Sequence, residues 1–211
     1  MYYGQNLEDK TISELIYSKY GNDFVGNILD IGANDGITLS NSRYFYERGW
    51  TAYLIEAGKT PFQLLESNTK SFANVNKYNC ALSYQDGTMN FYESSNLLNE
   101  HDKGLVSTLI PNETTKWRNA GIKYEEYQVP CFTWATFLNN YFPNKLNFDV
   151  ISIDIEGMDY EILSQMNLDD LGCKVLCIEF NGLEMNKYVD FVSKFSMHLV
   201  NQNAENLIFA R

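Results

Sequence analysis

The order of apolar and polar positions predicts strands and helices that alternate along the chain. Short, mostly apolar runs predict buried strands at 28–31, 52–55, 148–153 and 175–180. Weaker strand patterns lie at 75–82, 89–92 and 129–132. Apolar residues spaced three and four apart predict helices that begin near residues 12, 38, 60, 133, 158 and 188. The first of these helices is expected to end at Gly21 and the second at Gly49.

This alternation predicts the fold class. Strand, helix, strand order is typical of an α/β protein with a doubly wound, mostly parallel sheet and helices on both faces. A last pair of strands, 197–200 and 207–210, surrounds a polar turn and predicts a C-terminal antiparallel hairpin. With 211 residues, 45% of them hydrophobic, the sequence predicts a single domain over residues 1–211.

One segment does not follow the alternation. Residues 94–126 are rich in Asn, Ser, Thr and charged side chains, and they exceed the length of an ordinary connection. A long insertion of this kind is typical of a substrate loop or a lid. His101 lies within it and is a candidate base, although a solvated loop histidine is the more common case.

Polar residues collect where the predicted strands end, which is where parallel sheets bind their ligands. The first strand runs into the turn Asp30-Ile31-Gly32-Ala33-Asn34-Asp35-Gly36, whose glycines allow the backbone to turn sharply. Glu56 follows the next strand, 20 residues beyond Gly36 (56 minus 36). A carboxylate at that point can accept hydrogen bonds from both ribose hydroxyls, so the unit predicts an adenosine-type cofactor.

The turn also discriminates between two such cofactors. A dinucleotide site requires the spacing G-x-G-x-x-G, but here the second and third positions are Asn34 and Ile37. Asp30 and Asp35 place negative charge where a pyrophosphate would lie. S-adenosylmethionine carries a sulfonium and an ammonium, which carboxylates attract. S-adenosylmethionine is therefore the preferred cofactor. The alternative functions are an NAD-dependent oxidoreductase and a non-catalytic nucleoside-binding scaffold.

Three segments carry a resemblance to a known family. Residues 29–36, the stretch Ala81-Leu82-Ser83 with Asp86-Gly87, and residues 150–157 together resemble the FkbM family of S-adenosylmethionine-dependent methyltransferases. Gln5, Glu8 and Asp9 resemble the amino-terminal segment of that family. One departure is that Ala57-Gly58 follows Glu56, where many members have a proline.

The resemblance implies a Rossmann-like, class I methyltransferase fold. It also implies an enzyme that methylates a hydroxyl group on a sugar or small metabolite. It implies that Asp30, Gly32 and Gly36 line the methionine end of the cofactor, that Glu56 binds the ribose, and that Ala81 and Leu82 flank the adenine. Asn34, Asp35, Ala57 and Asp154 complete the predicted cofactor site. The insertion at 94–126 is then expected to shape the acceptor pocket.

The segment Asp154-Ile155-Glu156-Gly157 holds the candidate catalytic residues. An alcohol acceptor must lose a proton, and Asp154 or Glu156 at a strand end is the predicted base, because burial and neighbouring carboxylates raise the pKa of such groups. Two alternatives remain: Glu156 as a carboxylate that stabilises a helix N-terminus, and Asp154 as a ligand of the cofactor's amino group. A different mechanism uses Asp154, Glu179 and Asn181 as ligands of Mg²⁺.

Composition narrows the expected partners and location. The formal charge of −11, from 27 acidic and 16 basic residues, argues against a nucleic-acid partner. No apolar run approaches the length of a membrane span, so no membrane partner is expected. The four cysteines form no C-x-x-C pair, which is typical of a reducing, cytoplasmic compartment. A small-molecule or sugar acceptor is therefore expected.

Overall fold

The computed structural model of this protein describes residues 1–98, 102–144, 146–182 and 184–211. The strands of these residues are β1 (Asn27–Ile31), β2 (Thr51–Ile55), β3 (Val75–Tyr78), β4 (Ala81–Leu82), β5 (Gly87–Ser94), β6 (Tyr124–Phe132), β7 (Val150–Ile153), β8 (Val175–Glu179), β9 (His198–Gln202) and β10 (Asn206–Ala210). The helices are α1 (Glu8–Tyr20), α2 (Arg43–Tyr46), α3 (Lys59–Thr69), α4 (Glu113–Asn119), α5 (Trp134–Tyr141), α6 (Asp159–Ser164) and α7 (Met185–Ser193).

A seven-stranded sheet forms the centre of the protein, in the order β3-β2-β1-β7-β8-β10-β9. The pairs among β3, β2, β1, β7 and β8 are parallel, whereas β10 is antiparallel to both β8 and β9. The strand order reverses between β1 and β7, so the carboxyl ends of these two strands open a crevice at one edge of the sheet. The predicted doubly wound sheet and the C-terminal hairpin are both confirmed.

Helices cover both faces of this sheet, and the side chains of each strand alternate between two apolar cores. One face packs α1, α2 and α3 against residues such as Ile28, Leu54 and Val150. The opposite face packs α5, α6 and α7 against residues such as Leu29 and Ile151. Because neighbouring positions on a strand point to opposite faces, the continuous apolar runs noted in the sequence are those of strands buried on both sides.

A second, three-stranded sheet in the order β4-β6-β5 lies outside the central one. Its apolar side packs Phe91, Leu109 and Val129 around Met158, which follows the carboxyl end of β7. The sequence predicted one strand over 75–82, and this was wrong. The chain leaves the central sheet after Tyr78, and Ala81–Leu82 pairs with β6 instead.

Two further predictions need correction. A helix was expected from residue 38 to Gly49, but α2 spans only Arg43–Tyr46, because the Asp35 carboxylate accepts the backbone N–H groups of Ile37 and Thr38 in a separate turn. The segment 94–126 was expected to be irregular, yet it contains α4 and the first residues of β6. The N-terminal helix ending at Gly21 is confirmed, as is the helix predicted to begin near residue 133, where the Thr133 hydroxyl caps α5 by accepting the N–H of Thr136.

Among the described residues, none of the helices combines the length and the apolar composition that a membrane crossing requires.

Candidate functional site

A cavity of about 260 Å³ opens at the carboxyl ends of β1, β2, β7 and β8, between the central sheet and the second sheet. Most of the residues that the sequence singled out line it. They are Asp30, Gly32, Asn34, Glu56, Ala57, Ala81, Leu82, Asp154, Glu156, Glu179 and Asn181. The edge of the sheet therefore brings together side chains that are up to 151 residues apart in sequence (181 minus 30).

The turn after β1 is fixed between its two neighbouring strands. The backbone N–H groups of Gly32 and Ala33 both donate to the carbonyl of Ile55, at 2.9 and 3.0 Å. Gly32 has φ +91°, and a Cβ at this residue would lie 1.8 Å from the carbonyl oxygen of Asp154. Only glycine allows the turn to lie against the end of β7 in this way.

Glu56 is buried at the end of β2 and is held by two backbone donors. Its Oε2 accepts the N–H of Asn34 at 2.9 Å, and its Oε1 accepts the N–H of Gly58 at 2.6 Å. Burial raises the pKa of Glu56 to about 7, although these hydrogen bonds act in the opposite direction. Each carboxylate oxygen keeps a further lone pair, and the side chain lines the cavity. The arrangement can accept hydroxyl donors from a ligand.

Asp30 lies deeper, within β1. Its carboxylate accepts the hydroxyl of Ser42 at 2.6 Å, and its position on β1 is paired with Ser152 on β7. Burial raises the pKa of Asp30 to about 6, against the lowering effect of the hydrogen bonds from the two serines. It contributes one acidic side chain to the inner end of the cavity.

Asp35 and Gly36 do not line the cavity. The Asp35 carboxylate accepts the backbone N–H groups of Ile37 and Thr38, both at 2.7 Å, and the hydroxyl of Thr38 at 2.8 Å. A Cβ at Gly36 would lie 2.6 Å from Leu65 Cδ1, which shows that this glycine packs against α3. Both residues shape the turn that places Gly32 and Asn34 at the cavity.

Asp154, Glu156 and Glu179 form a compact acidic cluster on the other side of the crevice. One carboxylate oxygen from each residue lies within 4.8 Å of those of the other two. Burial, followed by the nearby Asp159 carboxylate, raises the pKa of Asp154 to about 8. Burial and the charge of Asp154 also raise the pKa values of Glu156 and Glu179 well above their ordinary range. The cluster favours binding of a proton or of a cation.

The backbone around the cluster is held by Asp159. Its two carboxylate oxygens accept the N–H of Ile155 at 2.9 Å and the N–H of Gly157 at 3.0 Å. Glu156 between them has φ +54°, which is unusual for a residue with a side chain. The Thr108 hydroxyl, from the 94–126 segment, donates to the Glu156 carbonyl at 2.7 Å. These contacts place the Glu156 carboxylate beside those of Asp154 and Glu179.

The structure also shows cavity residues that the sequence analysis did not predict. The 94–126 segment contributes apolar residues and the pair Lys116 and Trp117, with Lys116 Nζ lying 4.6 Å from the centre of the Trp117 ring. Glu8 of α1 lines the cavity and accepts side-chain N–H groups from Asn203 and Asn206 at 2.7 and 3.1 Å. The sequence did contain a signal for Trp117, because it is an aromatic residue next to a lysine within a long polar insertion.

His101 lies outside the described residues, so the prediction that it is a candidate base stays a prediction. The Mg²⁺ hypothesis named Asp154, Glu179 and Asn181. The structure does bring Asp154 and Glu179 together, and it places Glu156 with them. Asn181 lines the same cavity but is exposed.

Comparison with known proteins agrees with this geometry. The family model described as Methyltransferase FkbM domain matches residues 30–199 of the 211. A search of the curated proteins gave no match.

Two solved structures are similar in fold. One is described as the METTL16 MTase domain, with 9% identity and a TM-score of 0.51 over 98% of this chain and 66% of that one. The other is a SAM-dependent methyltransferase from Agrobacterium tumefaciens, with 8% identity and a TM-score of 0.50 over 96% of this chain and 61% of that one. The predicted class I methyltransferase fold is confirmed.

Proposed function

This chain belongs to the FkbM methyltransferase family, and we propose that it methylates a hydroxyl group of a sugar or another small molecule. The protein is a methyltransferase that depends on S-adenosylmethionine. The identity of the acceptor atom and of the acceptor class is the proposal. The observation that carries it is the cavity itself, where the Glu56 carboxylate lies across the crevice from the acidic cluster of Asp154, Glu156 and Glu179.

The cofactor lies along the β1 and β2 side of the cavity in this proposal. Glu56 accepts the ribose hydroxyls, since two backbone N–H groups already orient its carboxylate. Ala57, Ala81 and Leu82 flank the adenine, because they supply the apolar lining beyond the end of β2. Gly32 and Asn34 allow close approach of the methionine part, and the Asp30 carboxylate attracts its positive charge.

The acceptor lies between the acidic cluster and the 94–126 segment. Trp117 is half-buried at the cavity, where its ring offers a flat apolar surface on which a sugar ring can stack. The apolar residues of the same segment exclude water from the methyl group. The segment acts as the acceptor loop of a single methyltransferase domain over residues 1–211.

The reaction is a direct displacement, so alignment of three atoms is the main requirement. The acceptor oxygen forms a bond to the methyl carbon, and the carbon–sulfur bond breaks with its electron pair left on sulfur. The acceptor hydroxyl loses its proton, and Asp154 and Glu156 are the groups at the cavity that promote this loss. Burial raises the pKa of Asp154 to about 8, close to the range in which a carboxylate acts as an effective base at neutral pH, and it raises the pKa of Glu156 well above its ordinary range.

Both alternatives from the sequence are less well supported. Family membership favours S-adenosylmethionine over NAD, and the acidic side chains of Asp30, Asp154 and Glu156 at the cavity offer no positive partner to a pyrophosphate. A pure scaffold would not need three carboxylates so close together, one of them buried and two half-buried, because such a set is costly to keep without a ligand or a reaction. A small acceptor also fits the net charge of −11, which disfavours nucleic acid. A cytoplasmic location stays a prediction from the cysteine pattern.

The test is a transfer assay with S-adenosylmethionine labelled in its methyl group and a panel of hydroxylated sugars and small metabolites. We expect label in an ether product, strongly reduced by Asp154→Asn and unchanged by Glu66→Gln, which removes an exposed carboxylate on α3. Label found only on nitrogen atoms, or equal rates with Asp154→Asn, would overturn the proposal.

A further inference from the structure

The acidic cluster follows from the topology of two neighbouring strands. β7 and β8 are parallel and paired, with Ile153 opposite Ile178, so the residues after these positions lie side by side. Asp154 comes directly after β7, and Glu179 is the last residue of β8. Glu156 joins them because its left-handed backbone turns the chain back at the edge of the sheet. One oxygen from each of the three carboxylates lies within 4.8 Å of the others.

Glu179 gives a second, separate observation. Its side chain is only 5% exposed and lines the cavity. Its Oε2 atom is buried and has no partner at hydrogen-bond distance among the residues that the structure describes, although the Asn181 side chain is near enough to lower the pKa of Glu179. A buried polar atom without a partner costs about 1–3 kcal/mol, and more when the group is charged. The atom therefore indicates a ligand that the protein binds at this point.

No positive side chain of the described ranges forms an ion pair with these three carboxylates. Lys116 is near enough to lower the pKa of Glu156, but its ammonium lies over the Trp117 ring. A single ammonium group from a cofactor would compensate one carboxylate and leave two. A divalent cation compensates more of the charge at one point.

The spacing of the oxygens also fits a cation. Mg²⁺ and Mn²⁺ bind oxygen ligands at about 2.1 Å, which places neighbouring ligand oxygens ~3.0 Å apart and opposite ones ~4.2 Å apart. The oxygen separations in the cluster, up to 4.8 Å, are somewhat longer than these values. Small rotations of the side chains would shorten them. Carboxylate oxygens are the ligands that such hard cations prefer, and the open cavity leaves the remaining positions for water and substrate.

We propose that Asp154, Glu156 and Glu179 together bind one divalent cation of the Mg²⁺ or Mn²⁺ type at the acceptor side of the cavity. Its role rests on the proposed hydroxyl methylation. The acceptor oxygen occupies an open position on the cation, which stabilises the alkoxide that forms when the proton leaves to solvent. That oxygen then takes the methyl group, and the sulfur keeps the electron pair of the broken bond. With the cation bound, Asp154 and Glu156 are its ligands, so they promote loss of the proton through the cation and not by accepting the proton as bases.

The test measures Mn²⁺ binding without any reaction. Full-length protein, freed of metals with a chelator, is titrated with Mn²⁺ while electron paramagnetic resonance reports the free ion. We expect one Mn²⁺ per chain, displaced by excess Mg²⁺, and a dissociation constant that rises by about tenfold or more in Glu179→Gln. Glu66→Gln is the matched control, because it removes the same charge from an exposed position, and its affinity should equal that of the unaltered protein.

Absence of a stoichiometric Mn²⁺ site, or equal affinity in Glu179→Gln, would overturn the proposal. If that variant does not fold, judged by its thermal melting, Glu156→Gln decides by the same criterion. A parallel titration with S-adenosylmethionine separates this inference from the proposed function. Cofactor binding without a Mn²⁺ site contradicts only the cation proposal, whereas Mn²⁺ binding without cofactor binding supports the cation site and contradicts the methyltransferase function.

Discussion

Gly32 lies against the backbone of Asp154 so closely that a Cβ at Gly32 would be 1.8 Å from the Asp154 carbonyl oxygen. The two residues follow β1 and β7, the strands between which the sheet reverses its order. Their contact fixes the turn that faces the proposed cofactor against the loop that carries the acidic cluster. The proposed cofactor and acceptor sites therefore share one backbone contact.

Replacing Gly32 with alanine is expected to destabilise the protein strongly. The added Cβ overlaps the Asp154 carbonyl and also disfavours φ +91°, so two costs add. Gly21→Ala is the matched control, because Gly21 has φ +93° but no atom within 4 Å of the added Cβ. Urea unfolding should show a loss of roughly 1 kcal/mol for Gly21→Ala and a clearly larger loss for Gly32→Ala. Equal losses would contradict the close contact.

Asp30 predicts a specific dependence of stability on pH. Burial raises the pKa of Asp30 from 3.8 to about 6, so its contribution to the free energy of unfolding is fully present below pH 3.8 and is lost as the pH rises through about 6. The shift corresponds to about 3 kcal/mol. Asp30→Asn keeps an acceptor for the Ser42 hydroxyl and cannot ionise. Relative to the unaltered protein, this variant should become more stable between pH 4 and pH 7.

Chemical unfolding of both proteins at a series of pH values checks the Asp30 prediction. Asp23→Asn, at an exposed position, serves as the control and should leave the pH dependence unchanged. A constant difference between Asp30→Asn and the unaltered protein across this range would show that Asp30 does not titrate as described.

Trp117 should affect the acceptor and not the cofactor. Loss of the stacking surface in Trp117→Ala is expected to cost at least ~1.4 kcal/mol of acceptor binding, which is about tenfold in KM. Trp117→Phe retains a ring and should keep most of the affinity. Steady-state kinetics with the acceptor varied measures KM, and calorimetry measures the dissociation constant of S-adenosylmethionine. A parallel loss of affinity for S-adenosylmethionine in Trp117→Ala would contradict the placement of the Trp117 ring in the acceptor site.

The sequence predicted the central sheet well because its strands are buried on both faces. The apolar runs that end at Ile31, Ile55 and Ile153 are long enough to be recognised, and parallel strands bring their carboxyl ends to one edge. Glu56 and Asp154 could therefore be assigned to one site from the amino-acid sequence alone. The doubly wound, mostly parallel sheet follows from the same alternation, whereas the class I methyltransferase fold was implied by the resemblance to the FkbM family.

The features that the sequence did not predict depend on local contacts, which the periodicity of apolar residues does not reveal. The short α2 results from hydrogen bonds that Asp35 makes with its own neighbours. β4 has two residues and joins a separate sheet, so no periodic pattern marks it. Glu156 joins the acidic cluster through a left-handed backbone conformation, and Trp117 reaches the cavity through a helix within the long insertion.

The most direct measurement is calorimetric titration of the purified protein with S-adenosylmethionine, S-adenosylhomocysteine and NAD. Glu56→Ala and Glu66→Ala are titrated in parallel, the second because Glu66 is exposed on α3. We expect both sulfur nucleosides to bind and NAD not to bind, with Glu56→Ala weakening the first two by about tenfold or more and Glu66→Ala leaving them unchanged. Preferential binding of NAD, or equal affinity in Glu56→Ala, would contradict the assignment of this cavity as the site of S-adenosylmethionine.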